Sequence, residues 1–185
     1  MVVLRLFSKL QHKEMWAYMN NITTLLKDEN KTVRVKAEDL CKGQIENAIQ
    51  ELVKPEQHNK YLPLEVLGAV DLSTLTDNNL TSCVFGIVQS LQDEDEFVSD
   101  KAVALLRNNL DMFWPTLKRM KGQLPLLFVI RRLGESDDKV VPDLLNKISQ
   151  TLHIKSSDAK LVVLRLFSKL QHKEMWAYMN NITTL

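Results

Sequence analysis

Residues 15–40 read MWAYMNNITTLLKDENKTVRVKAEDL, and this stretch decides the fold that the sequence predicts. Its first half carries apolar side chains at spacings of three and four residues, which is typical of a helix with one buried face. The polar residues Asp28, Glu29 and Asn30 form a short turn, and a second helical pattern follows Thr32, which we expect to cap it. Two helices joined by so short a turn predict an antiparallel helical hairpin.

The same helical spacing continues along most of the chain, and no segment shows the strict alternation of a strand. We therefore predict an all-α fold of about ten or eleven helices with short connections. Gly43 is a candidate break within one long helical stretch, and four prolines are expected in the first turns of helices. Those prolines are Pro63, Pro115, Pro125 and Pro142. The predicted helices cover residues 14–27, 33–52, 61–72, 77–92, 95–109, 112–121, 124–133, 140–152 and 158–170.

Positions in the opening hairpin follow one motif, in which two leucines, Asp-x-Asn, Val-Arg and an alanine occur in this order: Leu25, Leu26, Asp28, Asn30, Val33, Arg34 and Ala37. The motif resembles the HEAT repeat. Residues 82–110 and 140–170 repeat the two-helix unit more loosely and lack Val-Arg. The resemblance implies a single HEAT-like solenoid domain over residues 1–185. Because HEAT proteins scaffold complexes, it also implies a non-catalytic, protein-binding scaffold with a protein partner.

The segment VVLRLFSKLQHKEMWAYMNNITTL occurs twice without a single substitution, as residues 2–25 and as residues 162–185. Natural repeats diverge, and each copy is cut within a predicted helix, so we expect an engineered or truncated chain. In a solenoid the duplicated ends would promote end-to-end association or domain swapping. An alternative is a conformational switch, in which the two identical segments compete for one slot of a 160-residue domain.

Charge and composition argue against several other classes of protein. The chain has 24 basic and 23 acidic side chains, so its net charge of +1 gives little support to a third alternative, a nucleic-acid-binding helical repeat protein. The sequence has no apolar run of the roughly 18 residues that a membrane span needs, and no signal-peptide cleavage site. We therefore expect no membrane association and a cytoplasmic or nuclear location.

The sequence also lacks the motifs of an enzyme. It has no glycine-rich phosphate loop and no nucleophile elbow, and its histidines are not paired with Cys or carboxylates at ligand spacing. Cys41 and Cys83 belong to no metal or redox motif, so we interpret them as reduced core residues. We therefore predict no catalytic activity, no metal site and no cofactor.

Two groups of side chains are candidate partner-binding surfaces. The first is a run of basic residues between Asp111 and Glu135, which could bind an acidic partner or a phosphate; the alternative is a solvated helical face. Its members are Lys118, Arg119, Lys121, Arg131 and Arg132. The second is a cluster of thioether and aromatic side chains, which could form an adaptable groove; the alternative is an inter-helix core. Its members are Met15, Trp16 and Met19, with their copies Met175, Trp176 and Met179.

Overall fold

A computed structural model of the chain describes residues 12–54, 59–120, 124–136, 139, 141–149 and 157–170. Within these ranges the regular structure is helical, as the spacing of apolar residues predicts, and it comprises eleven α-helices and two short 3₁₀ helices. The chain divides into two compact units, Met1–Leu105 and Leu106–Leu185.

The first unit is built from seven helices, the last of which ends just beyond its boundary. The helices are α1 His12–Trp16, α2 Met19–Thr24, α3 Lys31–Lys42, α4 Ile45–Leu52, α5 Tyr61–Gly68, α6 Asp77–Ser90 and α7 Glu96–Asn108. Helix α4 packs on both α5 and α6, and α2 packs on both α3 and α5. The core side chains include Met19, Ile22, Leu52, Leu64 and Ile87, each less than 2 % exposed. The 3₁₀ helices are Leu25–Lys27 and Leu72–Thr74.

The start of α3 differs from the sequence prediction. Asn30, in an extended conformation, accepts a hydrogen bond at its side-chain oxygen from the backbone N–H of Thr32, at 2.8 Å. Asn30 is therefore the N-cap, and the prediction that Thr32 caps this helix is wrong, because an amide oxygen two residues earlier already satisfies the free N–H. The helix begins at Lys31 and ends at Lys42, and Gly43 follows it as the predicted break.

The second unit is built from four further helices. These are α8 Leu110–Arg119, α9 Leu124–Ser136, α10 Val141–Ser149 and α11 Ser157–Phe167. Helix α9 packs on α8, α10 and α11, and α10 also packs on α11. A Cβ at Gly134 would overlap Cδ2 of Leu166. The missing side chain thus lets α11 approach α9 closely.

Three of the four prolines lie in the first turn of a helix, as predicted, namely Pro63, Pro125 and Pro142. The prediction for Pro115 is wrong, since this residue is sixth in α8. Helix α8 starts earlier than expected because only Asn109 separates it from α7 and the buried Leu110 joins its apolar face. Pro115 is exposed, and so is Asp111, whose carbonyl lacks the helical N–H partner that a proline cannot supply.

Candidate functional site

The described members of the basic run lie on two helices of the second unit. Lys118 and Arg119 are exposed at the end of α8, where Nε of Arg119 donates to the carbonyl of Pro115 at 3.3 Å. Arg131 is exposed on α9 and forms an ion pair with Glu135 one turn later, at 3.0 Å, whereas Arg132 is half-buried. Cations near the C-terminus of a helix interact favourably with the negative end of the helix dipole, so Lys118 and Arg119 stabilise the end of α8. Lys121 lies outside the described residues.

Arg131 also lines a cavity of about 280 Å³ between α9 and α11, which we name the α9–α11 groove. The groove brings this arginine together with two cations that the sequence analysis did not single out, Arg165 and Lys169. The amine of Lys169 donates to the carbonyl of Gly134 at 2.7 Å, which anchors it across the two helices. The full lining is Arg131, Gly134, Glu135, Val162, Arg165, Leu166, Ser168 and Lys169.

The outer face of α11 carries two exposed leucines. Val163 and Leu166 are buried against the unit, whereas Leu161 and Leu164 are 55 % and 63 % exposed. Side chains three and four residues apart share a helical face, so Leu161 lies on the same face as Leu164 and as Arg165. Leu164 and Arg165 belong to the second copy of the repeated segment, whereas Leu161 precedes it. The apolar spacing alone could have indicated that some leucines would remain uncovered.

The thioether side chains of the first copy lie in the core of the first unit. Met15 and Met19 are 6 % and 0 % exposed, and Trp16 is half-buried. The side-chain amide of Gln44, itself fully buried, donates to Sδ of Met15 at 3.6 Å. These positions agree with the core alternative for Met15 and Met19. Met175, Trp176 and Met179 lie outside the residues that the structure describes.

A second polar cavity, also of about 280 Å³, lies in the first unit. It contains an ion pair between the carboxylate of Glu65, which is only 9 % exposed, and the amine of Lys101. Glu38 adds another carboxylate to the lining, and a Cβ at Gly68 would lie 3.4 Å from the Lys101 stem. The sequence analysis missed this pair. A glutamate inside the apolar run YLPLEVLG was the signal that could have indicated it.

Both cysteines are buried and free. Burial raises the pKa of Cys41 to about 12, and the negative charges of Glu65 and Glu38 act in the same direction. Burial alone raises the pKa of Cys83 to about 12. Both thiols are therefore protonated at neutral pH, as expected for core residues rather than nucleophiles.

We expect neither cysteine of the native protein to react with a thiol-exchange reagent such as dithionitrobenzoate at pH 8, because the thiolate is the attacking species. In concentrated guanidinium, which lowers the free energy of unfolding in proportion to its concentration, both cysteines should react. The release of the coloured thiol, followed with time, measures this. A native thiol that reacts as fast as free cysteine would contradict the burial of that residue.

The described part of the chain contains no group of three His, Cys, Asp or Glu side chains placed to hold a metal ion. None of the helices in the same ranges is long and apolar enough to cross a membrane. No model of a known protein family matches the sequence, and no curated protein matches it either. The helices described above place the chain in the all-α class of proteins.

Proposed function

We propose that this chain is a non-catalytic, HEAT-like α-solenoid scaffold that binds proteins, and that its duplicated segments promote end-to-end association. One observation carries the proposal. Within each unit, the helices that pack most extensively are near neighbours in the chain, such as α4 with α5 and α6, or α9 with α10 and α11. Packing between successive helices is the arrangement expected of a helical repeat array.

The two copies of the repeated segment support the second half of the proposal. Residues 12–25 of the first copy supply α1 and α2, and α2 packs on α3 and α5. Residues 162–170 of the second copy supply most of α11, which packs on α9 and α10. The first copy thus contributes its later half to the first unit, and the second copy contributes its earlier half to the second unit. A copy from one molecule could occupy the place of the other copy in a second molecule, and such a contact is heterologous and open-ended.

Deletion of residues 162–185 tests this proposal. The truncated protein loses the α11 side chains Val163 and Leu166, so the apolar surface that they cover becomes exposed. Residues 2–10 have the same sequence as residues 162–170, so they can cover that surface in a second molecule. We expect oligomers that grow with protein concentration in sedimentation velocity runs, while circular dichroism remains helical.

The switch alternative gives the opposite result. If the two copies compete for one slot, residues 2–10 fill that slot within the same molecule, and the truncated protein is a monomer as stable as the full chain. That outcome would overturn the open scaffold. The matched control adds Val3→Asp and Leu6→Asp to the deletion, since these positions correspond to Val163 and Leu166. Ordered oligomers should then disappear.

A further inference from the structure

We propose that helices α3, α5 and α7 share a docking surface for a basic, amphipathic protein segment, which places an arginine in the cavity of Glu65 and Lys101 and covers two exposed aromatic rings beside it. The proposal rests on the protein-binding function proposed above and adds the chemistry of the partner. All residues of this surface belong to the first unit, whereas the deletion of residues 162–185 uncovers a surface of the second unit.

Helices α5 and α7 lie side by side and run in the same direction. At the start of α5, Lys60 forms an ion pair at 3.8 Å with Asp93, which comes shortly before α7. Further along both helices, Glu65 forms an ion pair with Lys101. Because the two pairs occur in the same order along both helices, the first turn of α5 lies beside the first turn of α7.

Two exposed aromatic side chains occupy these first turns. Tyr61 is 38 % exposed on α5, and Phe97 is 77 % exposed on α7. Tyr61 lies one helical turn before Glu65 and on the same face of its helix. Phe97 has the same relation to Lys101. Since Glu65 and Lys101 both line the cavity, the two rings and the cavity form one surface.

This surface has an excess of negative charge. Glu38 and Glu65 line the cavity with one cation, Lys101, which is already paired with Glu65. Asp100 adds an exposed carboxylate one turn after Phe97. Within the described ranges, neither Glu38 nor Asp100 forms an ion pair. The surface therefore favours a cationic partner.

The cavity also offers a hydrogen-bond acceptor. Oε2 of Glu65 is buried and accepts no hydrogen bond from the described residues, although the amine of Lys101 is in ion-pair contact with it. An arginine suits this site better than a lysine, because its guanidinium has five N–H donors and can serve Glu65 and Glu38 together.

The aromatic rings indicate that the cation belongs to a protein segment. A free metal ion or a small amine gains nothing from exposed rings, and the carboxylates repel nucleic acids and anionic lipids. A segment with an arginine beside large apolar side chains satisfies both parts of the surface. It covers Tyr61 and Phe97, which are the kind of aromatic anchors that dominate protein interfaces.

Fluorescence anisotropy with the full chain tests the proposal. The probe is a labelled synthetic peptide of about fifteen residues, or four helical turns, with leucines on one face and arginines beside them. We expect saturable binding that weakens at least about tenfold in Phe97→Ala, which removes an aromatic anchor. Glu38→Gln should weaken binding by about tenfold as well, the loss typical of one hydrogen bond to a charged group.

Matched controls separate this surface from general effects of charge and stickiness. Phe85 is 46 % exposed on α6 and Glu46 is exposed on α4, and neither lines the cavity. Phe85→Ala and Glu46→Gln should therefore change the affinity by less than about twofold. A peptide with glutamine in place of every arginine should fail to bind the native chain. Circular dichroism verifies the helices of each variant, and Asp100→Asn replaces Glu38→Gln if the latter unfolds.

Several outcomes would overturn the proposal. Equal losses in Phe97→Ala and Phe85→Ala would mean that the peptide adheres to any exposed ring, and equal losses in Glu38→Gln and Glu46→Gln would mean that net charge alone attracts it. Self-association of the full chain that Phe97→Ala abolishes would identify a second copy as the occupant. The absence of peptide binding would refute the docking surface but leave the sedimentation result for the truncated protein unaffected, so the two proposals fail separately.

Discussion

Replacement of Lys101 by methionine is expected to lower the free energy of unfolding by about 3 kcal/mol, because it leaves the carboxylate of Glu65 nearly buried and without its counter-ion. Methionine keeps most of the stem of the lysine that passes Gly68, so the loss reflects the missing charge rather than a cavity. This expected loss is at the low end of the range for breaking a buried ion pair, because the Lys101 side chain is itself 28 % exposed. Denaturation in urea, followed by circular dichroism, measures the change.

A matched lysine on the surface provides the control. Lys42 pairs with Asp39 at 3.1 Å, but both side chains are more than half exposed. Lys42→Met should therefore change the stability by less than about 0.5 kcal/mol. The double variant Lys101→Met with Glu65→Leu should recover most of the loss, because two apolar side chains replace both charges. A Lys101→Met variant as stable as Lys42→Met would show that water solvates the Glu65 carboxylate.

The class of fold could be predicted from the sequence because apolar spacing depends only on local geometry. A helix must turn its apolar side chains toward one side, and that requirement is visible in segments such as 77–92, where the structure has α6. Boundaries were harder to predict, since they depend on competition between neighbouring polar groups. At the start of α3, Asn30 and Thr32 are both good caps, and the sequence alone does not show which one reaches a free N–H.

The candidate site could be predicted only in part, because it depends on which helices pack together. The basic run led to Arg131, but its companions Arg165 and Lys169 are more than thirty residues away in the chain. They meet Arg131 because Gly134 allows a close approach of α11, and a single glycine within a helical pattern is only a weak signal of such contact. The burial of Met15 and Met19 also depends on which helices pack together, because apolar side chains that could line a groove can equally well form a core.

Truncation of Phe113 to alanine should have the largest effect of any single substitution considered, a loss of about 4 kcal/mol in the free energy of unfolding. Phe113 is completely buried on α8, on the face that also buries Leu110, Trp114 and Leu117. Removal of the ring leaves a cavity in the second unit, since the surrounding side chains can fill it only partly. Chemical denaturation of the full chain, with the change in slope recorded as well as the midpoint, measures the loss.

Phe97 supplies the matched control, because it is the same residue type on the preceding helix but is 77 % exposed. Phe97→Ala should change the stability by less than about 0.5 kcal/mol, as expected for a surface position that makes few contacts. The difference between the two alanine variants thus isolates the contribution of burial from that of residue type and helix propensity. If Phe97→Ala proved as destabilising as Phe113→Ala, the N-terminal turn of α7 would have to be covered in solution, and the exposed position of Phe97 would be wrong.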